Sequence, residues 1–395
     1  MITKTKIPLT WPQVKLGKLF DITSSKRVFQ DEWKAEGVPF YRAREIVKLA
    51  EDGFVNNELF IDPKMYGRYK NKYGVPQKDD LLITGVGTIG ILYRVRDSAE
   101  FYFKDGNIIW LKNKNIASSK FIEQFFKSHA LRKQILGANP ITTVATYTID
   151  AAKNTTVNLP PLPEQHRIVV VLETWDKAIE LLTKKITLKK QVKKGLMQKL
   201  LTGEVRLPGF RGEWKKTELG ELLNYEQPIK YLVSSTNYSN EYAVPVLTAG
   251  KTFILGYTDE KNGIYNKLPV IIFDDFTTAN KYVTFPFKAK SSAMKLLTPK
   301  NEKVNLKFVF ERIQIIDFPV GEHKRQYLSE YQFIPIKTPS IEEQNAIALF
   351  SEKADKELSL LNQKLSEIQK QKKFLLNNLI TGAIRTPENM DTYSK

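Results

Sequence analysis

One stretch of about 50 residues occurs twice in this chain, and the two copies constrain the fold more than any other feature. Residues 159–208 and 338–387 align without a gap, 179 positions apart. About 18 of the 50 aligned positions are identical, which chance does not produce. LPPLPEQHRI faces TPSIEEQNAI, and LLTGEVRLP faces LITGAIRTP. A repeat of this length in only two copies predicts internal pseudo-two-fold symmetry.

Each copy predicts one long helix. A proline and a Glu-Gln pair mark the first turn at residues 164–165 and 343–344, and Thr-Gly marks the end at residues 202–203 and 381–382. Lysines crowd both last turns, where they complement the helix dipole. The bounds predict helices of roughly 35–38 residues, about 55 Å long, which exceeds the width of a small domain. We therefore interpret them as a helix pair rather than as ordinary core helices.

Apolar residues at steps of three and four predict the contact seam of a coiled coil along both helices. Lysines interrupt the pattern at Lys189, Lys193 and Lys372. The predicted seam consists of Trp175, Ile179, Leu182, Ile186, Leu196 and Leu200 in the first copy, and of Ala354, Leu358, Leu361, Leu365, Ile368, Leu375 and Leu379 in the second.

The charge of the chain indicates a polyanionic partner. A formal net charge of +18 favours nucleic acid, and an anionic membrane surface is the alternative. No apolar run approaches the roughly 20 residues that span a bilayer, and the N-terminus lacks a signal-peptide core, so we expect a cytoplasmic protein. The absence of cysteine and the presence of only three histidines exclude thiol catalysis and argue against structural zinc.

The segments between the helices predict two mixed α/β domains. The opening WPQVKLGKLF recurs as EWKKTELGELL, and VPFYRARE is echoed by VPVLTAGK. The rest of the two segments hardly agrees, which suggests one task performed on two different targets. The predicted division is residues 1–158 for the first domain, 159–208 for the first helix region, 209–337 for the second domain, and 338–395 for the second helix region and tail.

In the first domain, DDLLITGVGTIGILYRVRD contains the pattern G-x-G-x-x-G. A dinucleotide site would need a helix after the glycines, whereas ILYRV is typical of a strand, so we reject that interpretation. A glycine-rich hairpin is expected instead, either as a plain turn or as a loop whose backbone approaches phosphates. The candidate polyanion contacts of this domain are Arg42, Arg44, Gly87, Thr88, Arg94 and Arg96.

In the second domain, FTTANKYV predicts a polar hairpin tip that can contact base edges or phosphates. The preceding Asp274 and Asp275 suggest a metal site, but a nuclease would need a further carboxylate and a lysine nearby, and Lys281 is isolated. A cluster before the second helix, which includes Lys324, is either a binding surface or a solvated one. The candidate contacts of this domain are Lys251, Thr277, Thr278, Asn280, Lys281, Lys324, Arg325 and Tyr327.

The order of domain, long helix, domain and long helix, with LPPLPEQHRI, LLTGEVRLPGF, IEEQNAI and LITGAIR at the helix borders, resembles the DNA-specificity subunit of type I restriction-modification enzymes. The resemblance covers nearly the whole chain. It implies an α+β protein in which two target-recognition domains are separated by two long conserved helices that form an antiparallel coiled coil. It also implies a bipartite site on double-stranded DNA.

The same resemblance implies partners and a division of labour. Two methylation subunits would dock on the chain, motor-nuclease subunits would join for cleavage, and S-adenosylmethionine, magnesium and ATP would serve those partners. The chain itself would hold no cofactor and no metal and would catalyse nothing, in keeping with the lack of a methyl-donor motif or a Walker loop. Two alternatives stay open: a stand-alone metal-dependent DNA-modifying enzyme, and a basic membrane-surface protein.

Overall fold

The computed structural model describes residues 11–56, 59–137, 146–250, 252–318 and 326–390. The chain divides into two compact units. The first unit consists of Met1–Leu182 and Lys364–Lys395, and the second of Thr183–Gln363. Each unit therefore combines one predicted domain with parts of both long helices.

In its described residues, the first unit contains ten short strands and six short helices, followed by the start of a long helix. The strands are β1 (Gln13–Lys15), β2 (Phe20–Thr23), β3 (Trp33–Lys34), β4 (Val38–Tyr41), β5 (Phe60–Ile61), β6 (Leu81–Thr84), β7 (Leu92–Arg94), β8 (Tyr102–Phe103), β9 (Ile108–Asn113) and β10 (Thr156–Asn158). The helices are α1 (Leu16–Leu19), α2 (Ala43–Glu51), α3 (Pro63–Tyr73), α4 (Ser119–Phe126), α5 (His129–Gly137) and α6 (Ile149–Asn154), and the long helix is α7 (Leu162–Thr202).

The described part of the second unit repeats this pattern with nine strands and the start of a second long helix. The strands are β11 (Lys215–Glu218), β12 (Leu223–Glu226), β13 (Val244–Leu247), β14 (Ile254–Thr258), β15 (Val270–Asp274), β16 (Asn280–Val283), β17 (Lys288–Ala289), β18 (Met294–Pro299) and β19 (Pro335–Thr338). The helices are α8 (Leu219–Leu222), α9 (Leu306–Ile313), α10 (Gln326–Ser329) and the long α11 (Ile341–Thr381).

The sheets confirm that the domains are duplicated. An antiparallel sheet of order β2-β9-β6-β7 in the first unit matches β12-β18-β15-β16 in the second, and the pair β1-β10 matches β11-β19. The Val-Pro echo begins β4 and β13, which occupy equivalent places. Each of these strands pairs antiparallel with one neighbour and parallel with another. The predicted mixed α/β class is confirmed for both domains.

Each unit has its own apolar core. In the first, strands β6 and β9 pack against α4 and α6, and the ends of both long helices contribute Leu172, Leu376 and Leu379. In the second, β15 and β18 pack against α9, and the long helices contribute Leu200 and Ile347. The long helices therefore contribute apolar side chains to the cores of both units.

Both long helices have 41 residues, a few more than predicted, because each begins immediately after the proline-containing turn. Residues of the predicted seam are buried or half-buried, with one correction. Leu196 is exposed and Met197 is buried in its place. The next seam residue after Lys193 is Met197, four positions later, because a helix with 3.6 residues per turn does not keep a strict seven-residue repeat.

The lysines in the seam are paired across the two helices. Lys193 pairs with Asp355 within the second unit, and Lys372 pairs with Asp176 within the first. The two ion pairs are equivalent, because Lys372 lies 179 positions after Lys193 and Asp355 lies 179 positions after Asp176. Lys189 adds a pair with Glu357 in the second unit, at 2.9 Å. Within the second unit, Lys193 follows Lys189 on α7 whereas its partner Asp355 precedes Glu357 on α11, so the two helices run antiparallel there.

Three short helices follow β9 in the first domain. Residues 119–136 form α4 and most of α5, and the chain turns between them at Lys127 and Ser128. The stretch between α5 and the first long helix contains α6, capped by the side chain of Thr148, which accepts a hydrogen bond from Ala151 N. Residues 138–145 of that stretch lie outside the described residues.

Candidate nucleic-acid interface

A charged junction holds the start of α11 in the second unit. Arg206 donates two hydrogen bonds to the Glu343 carboxylate, each 2.5 Å long, and these raise the pKa of Arg206. The indole Nε1 of Trp214 donates to the same carboxylate at 3.2 Å, and the ring lies 5.4 Å from the Arg206 guanidinium carbon. Gly203 has φ +77°, and a Cβ there would lie 3.4 Å from the Trp214 ring. The Thr-Gly ending thus gives the chain both its turn and its contact with Trp214.

The first unit has an equivalent junction. Arg385 donates two hydrogen bonds to Glu164 at 2.5 Å, and its guanidinium carbon lies 5.0 Å from the Trp11 ring. Gly382 has φ +78°, and a Cβ there would lie 3.2 Å from Trp11. In each unit, the segment after one long helix is therefore bonded to the first turn of the other.

The glutamine of each Glu-Gln pair ties the long helix to its domain. Gln165 accepts from Ser118 N and donates to Pro160 O, both at 2.8 Å. Gln344 accepts from Asn305 N at 2.9 Å and donates to Pro339 O at 3.0 Å. Ser118 is the N-cap residue of α4 and Asn305 that of α9, so each glutamine fixes the helix that covers the sheet.

Local sequence patterns did not predict the four other junction residues, Arg206, Arg385, Trp11 and Trp214. The Glu-Gln pairs were interpreted only as first-turn residues. A signal was available, because both arginines are identical at aligned positions of the repeat and both tryptophans open a domain. The pairing of those positions depends on the antiparallel helices, which local patterns do not contain.

The glycine-rich hairpin of the first unit has the predicted form. Strands β6 and β7 pair antiparallel, and no helix follows the glycines, which confirms that this is not a dinucleotide fold. Gly87 and Gly90 have φ of +79° and +77°, and the Thr84 hydroxyl donates to the carbonyl of Thr88. The turn is thus stabilised by a hydrogen bond within the hairpin. A Cβ added at Gly87 would have no described atom within 4 Å.

The arginines beside this hairpin differ in their surroundings. Arg94 is only 13% exposed and is paired with Asp79 at 2.8 Å and Glu123 at 2.9 Å. Burial lowers the pKa of Arg94, but these two carboxylates outweigh the burial and raise it. Arg94 therefore joins β7 to α4, and its prediction as a phosphate contact is corrected. Arg96 is exposed and stays a candidate contact.

Arg42 and Arg44 both donate to the carboxylate of Glu45, at 2.8 and 2.5 Å. Burial raises the pKa of Glu45, but the two guanidinium groups outweigh it and hold the pKa below its usual value. Their charge is thus partly neutralised within the chain. Arg44 is the more exposed of the two and is the better placed for a contact.

The hairpin tip of the second unit is a hydrogen-bonded turn between β15 and β16, as predicted. Asp274 Oδ1 accepts from the backbone of Phe276 and from the backbone and hydroxyl of Thr277. Thr278 has φ +56°, and its carbonyl accepts from the Asn280 amide at 3.1 Å. This arrangement leaves Thr277 exposed. The half-exposed Lys281 follows on β16.

Asp275, the second member of the acidic pair, is a fully buried structural residue. It forms a fully buried ion pair with Lys295, with 3.2 Å between Nζ and Oδ2 and without hydrogen-bond geometry. Its Oδ1 accepts from Tyr327 N at 2.9 Å. Among the described residues, no group of three or more His, Asp or Glu side chains could hold a metal ion.

Tyr327 is 1% exposed and its ring packs against Phe273, with 5.4 Å between centroids. Burial raises the pKa of Tyr327. The prediction of Tyr327 as a surface contact is therefore wrong, because its ring completes the core under the hairpin tip. The other predicted contacts Lys251, Lys324 and Arg325 lie outside the described residues.

Comparison with known proteins agrees with this architecture. Residues 8–190 match the family model described as the type I restriction modification DNA specificity domain. The matched residues include the first domain and most of α7. Within the described residues, no helix is long and apolar enough to cross a membrane.

Three similar proteins illustrate the relationship. The EcoR124I/EcoR124II specificity subunit of Escherichia coli is 53% identical over 156 residues, which are 38% of each chain. The putative specificity subunit S.HindORF215P of Haemophilus influenzae is 32% identical over 176 residues, 44% of this chain and 41% of that one. These matches span about two fifths of the relatives' length. The crystal structure of an S subunit from M. genitalium, 17% identical, shares the fold with a TM-score of 0.58 over 96% of this chain and 98% of that one.

Proposed function

We propose that this chain is the DNA-specificity subunit of a type I restriction-modification complex. Each unit would read one half of a bipartite site on double-stranded DNA through its own domain. The observation that carries the proposal is the duplication itself: two matching sheets, two matching junctions and two long helices, with different surface loops. A duplicated frame with different loops suits the reading of two different half-sites.

The chemistry of the described residues supports a binding role. The acidic pair at the second hairpin tip is used for a turn and a buried ion pair, so it supplies no metal site. We propose that methylation and cleavage belong to partner subunits, which would hold S-adenosylmethionine, magnesium and ATP. Two methylation subunits are expected, because the chain offers two equivalent halves, and motor-nuclease subunits would complete the complex in the cytoplasm.

Reconstitution tests this proposal. The purified chain, alone and with the methylation subunits of its host, is incubated with genomic DNA and labelled S-adenosylmethionine. We expect transfer of methyl groups only in the mixture, at sites with two fixed parts separated by a spacer. Methyl transfer by the chain alone, or sites with a single part, would contradict the proposal.

A further inference from the structure

Helix α3 of the first unit carries an exposed basic surface that the interface described above does not include. Residues 63–78 contain five lysines and arginines and no acidic residue. Lys70 pairs with Glu100 at 2.7 Å. For Lys64, Arg68 and Lys72, the described residues supply no carboxylate within ion-pair distance. The cationic side chains of this helix repel one another, and an anionic partner would offset that repulsion.

The helix is amphipathic. Met65 and Tyr66 are 5% exposed and pack in the core beneath the mixed sheet, whereas Lys64, Arg68 and Asn71 are exposed. Positions i, i+4 and i+7 lie on one face of a helix. Two cations and an amide therefore share the outer face. Arginine and asparagine are the side chains that form paired hydrogen bonds with guanine and adenine in the major groove.

Gly67 is half-exposed at the edge of this outer face, between Lys64 and Asn71 along the helix axis. Glycine destabilises a helix interior relative to alanine, yet Gly67 does not adopt a left-handed conformation, and an added Cβ would meet nothing within 4 Å. Packing and backbone geometry within the described chain therefore do not require it. A glycine on an exposed face lets a ligand approach the helix backbone closely.

Further cations surround the C-terminal end of the helix. The ammonium groups of Lys26 and Lys72 lie 5.8 and 5.4 Å from the centroid of the Tyr73 ring. Lys112 Nζ lies 3.5 Å from the Tyr73 carbonyl and 4.3 Å from the Trp110 ring. The basic surface is thus wider than the helix itself. Cations beside a helix match the phosphates that border a groove of DNA.

We propose that α3 lies in the major groove of the first half-site. Arg68 and Asn71 face base edges across the notch at Gly67, and Lys64, Lys72, Lys26 and Lys112 face phosphates. The helix has 11 residues and is about 16 Å long, and a groove about 12 Å wide admits a helix. This inference rests on the proposed function, since it assigns the element that reads DNA within that function.

Substitutions at Gly67 separate binding from folding. Both Gly67→Ala and Gly67→Leu are expected to raise the melting temperature, because they remove a helix-destabilising residue. Only Gly67→Leu fills the notch, so in the reconstituted methylation complex it lowers affinity for the cognate site by about tenfold or more, while Gly67→Ala has a small effect. A merely structural role for Gly67 would move stability and affinity together.

Side-chain substitutions distinguish base-specific contacts from electrostatic contacts with phosphates. Arg68→Ala and Asn71→Ala are expected to relax single positions of the first half-site by roughly 5- to 150-fold and to leave the second half-site unchanged. Lys64→Ala and Lys72→Ala weaken binding to all sequences and each reduce the salt slope by about one. Lys18→Ala, an exposed lysine on α1 of the same unit, is the control and leaves both measurements unchanged.

The outcomes are distinguishable. If the wild-type complex binds no specific DNA, the proposed function fails and this inference falls with it. If the wild-type complex is specific but Gly67→Leu, Arg68→Ala and Asn71→Ala keep its affinity and specificity, only the assignment of α3 is overturned. Variants that keep DNA specificity but lose the methylation subunits in gel filtration would show that α3 is a protein-docking surface, which also overturns it.

Discussion

Removal of Arg206 from the junction of the second unit is expected to destabilise that unit strongly. Glu343 is 2% exposed and Arg206 26% exposed by side chain, so Arg206→Ala leaves a buried carboxylate for which the described residues supply only the Trp214 indole as a donor. Breaking a buried pair from one side costs about 3–5 kcal/mol. Because Arg206 is partly open to water, we expect about 3 kcal/mol. With a urea slope near 2.5 kcal/mol/M, the unfolding midpoint falls by about 1.2 M.

The assay is equilibrium unfolding in urea, followed by tryptophan fluorescence and circular dichroism. Lys199→Ala is the matched control, because Lys199 and Glu204 form an exposed pair at 3.3 Å with 52% and 63% exposure. Exposed pairs contribute at most about 1 kcal/mol, which is a midpoint shift below about 0.4 M. Glu343→Gln in the Arg206→Ala background removes the buried charge and restores much of the loss. Equal shifts for Arg206→Ala and Lys199→Ala, or no recovery in the double variant, would refute this reasoning.

Three other predictions address the interface, the helix pair and acid stability. Arg96→Ala lowers DNA affinity and reduces the salt slope by about one without changing the urea midpoint. Arg94→Ala lowers the urea midpoint, because Glu123 and Asp79 lose their ion-pair partner. Filter binding and urea unfolding measure both properties, and equal effects of the two substitutions would contradict this assignment. Lys193→Asp weakens the helix pair, and adding Asp355→Lys restores it, so a double-mutant cycle with no coupling energy would contradict the seam pairing. Lys288 and the backbone N–H groups of Ser235 and Ser234 hold the pKa of Glu260 below its ordinary value of 4.5. The stability that this lowered pKa contributes is present above pH 4.5 and is lost as the pH falls through the lowered pKa. Glu260→Gln is expected to remove that pH dependence from unfolding curves measured between pH 3 and 6.

The long helices and the duplication could be predicted because their signals are local or repeated. Each helix is defined by the spacing of its apolar residues, by the proline at its start and by the Thr-Gly at its end, and none of these signals depends on the partner helix. The burial of Met197 in place of Leu196 was not predictable in the same way, because it depends on how far the helix drifts from a heptad. Tyr327 shows the same limit, since its position in a polar stretch gave no sign that Phe273 and Tyr225 surround it.

The candidate contacts were predicted less well than the fold. Arg94 and Arg96 have the same chemistry and lie two positions apart, but only the structure shows that Asp79 and Glu123 neutralise Arg94. The charge run of α3 was visible in the sequence. Its meaning depended on which residues face the core, and the buried Met65 and Tyr66 supply that information.

An exchange of domains tests the central claim that each unit reads its own half-site. A chimera receives the first domain of a known type I specificity subunit, joined at Pro160, and keeps residues 161–395. It is expressed with the methylation subunits, and methylated adenines are mapped across the host genome by single-molecule sequencing. We predict that the first half of the methylated site changes and the second half stays as in the parent. A chimera that assembles and methylates but changes both halves, or neither, would contradict the account.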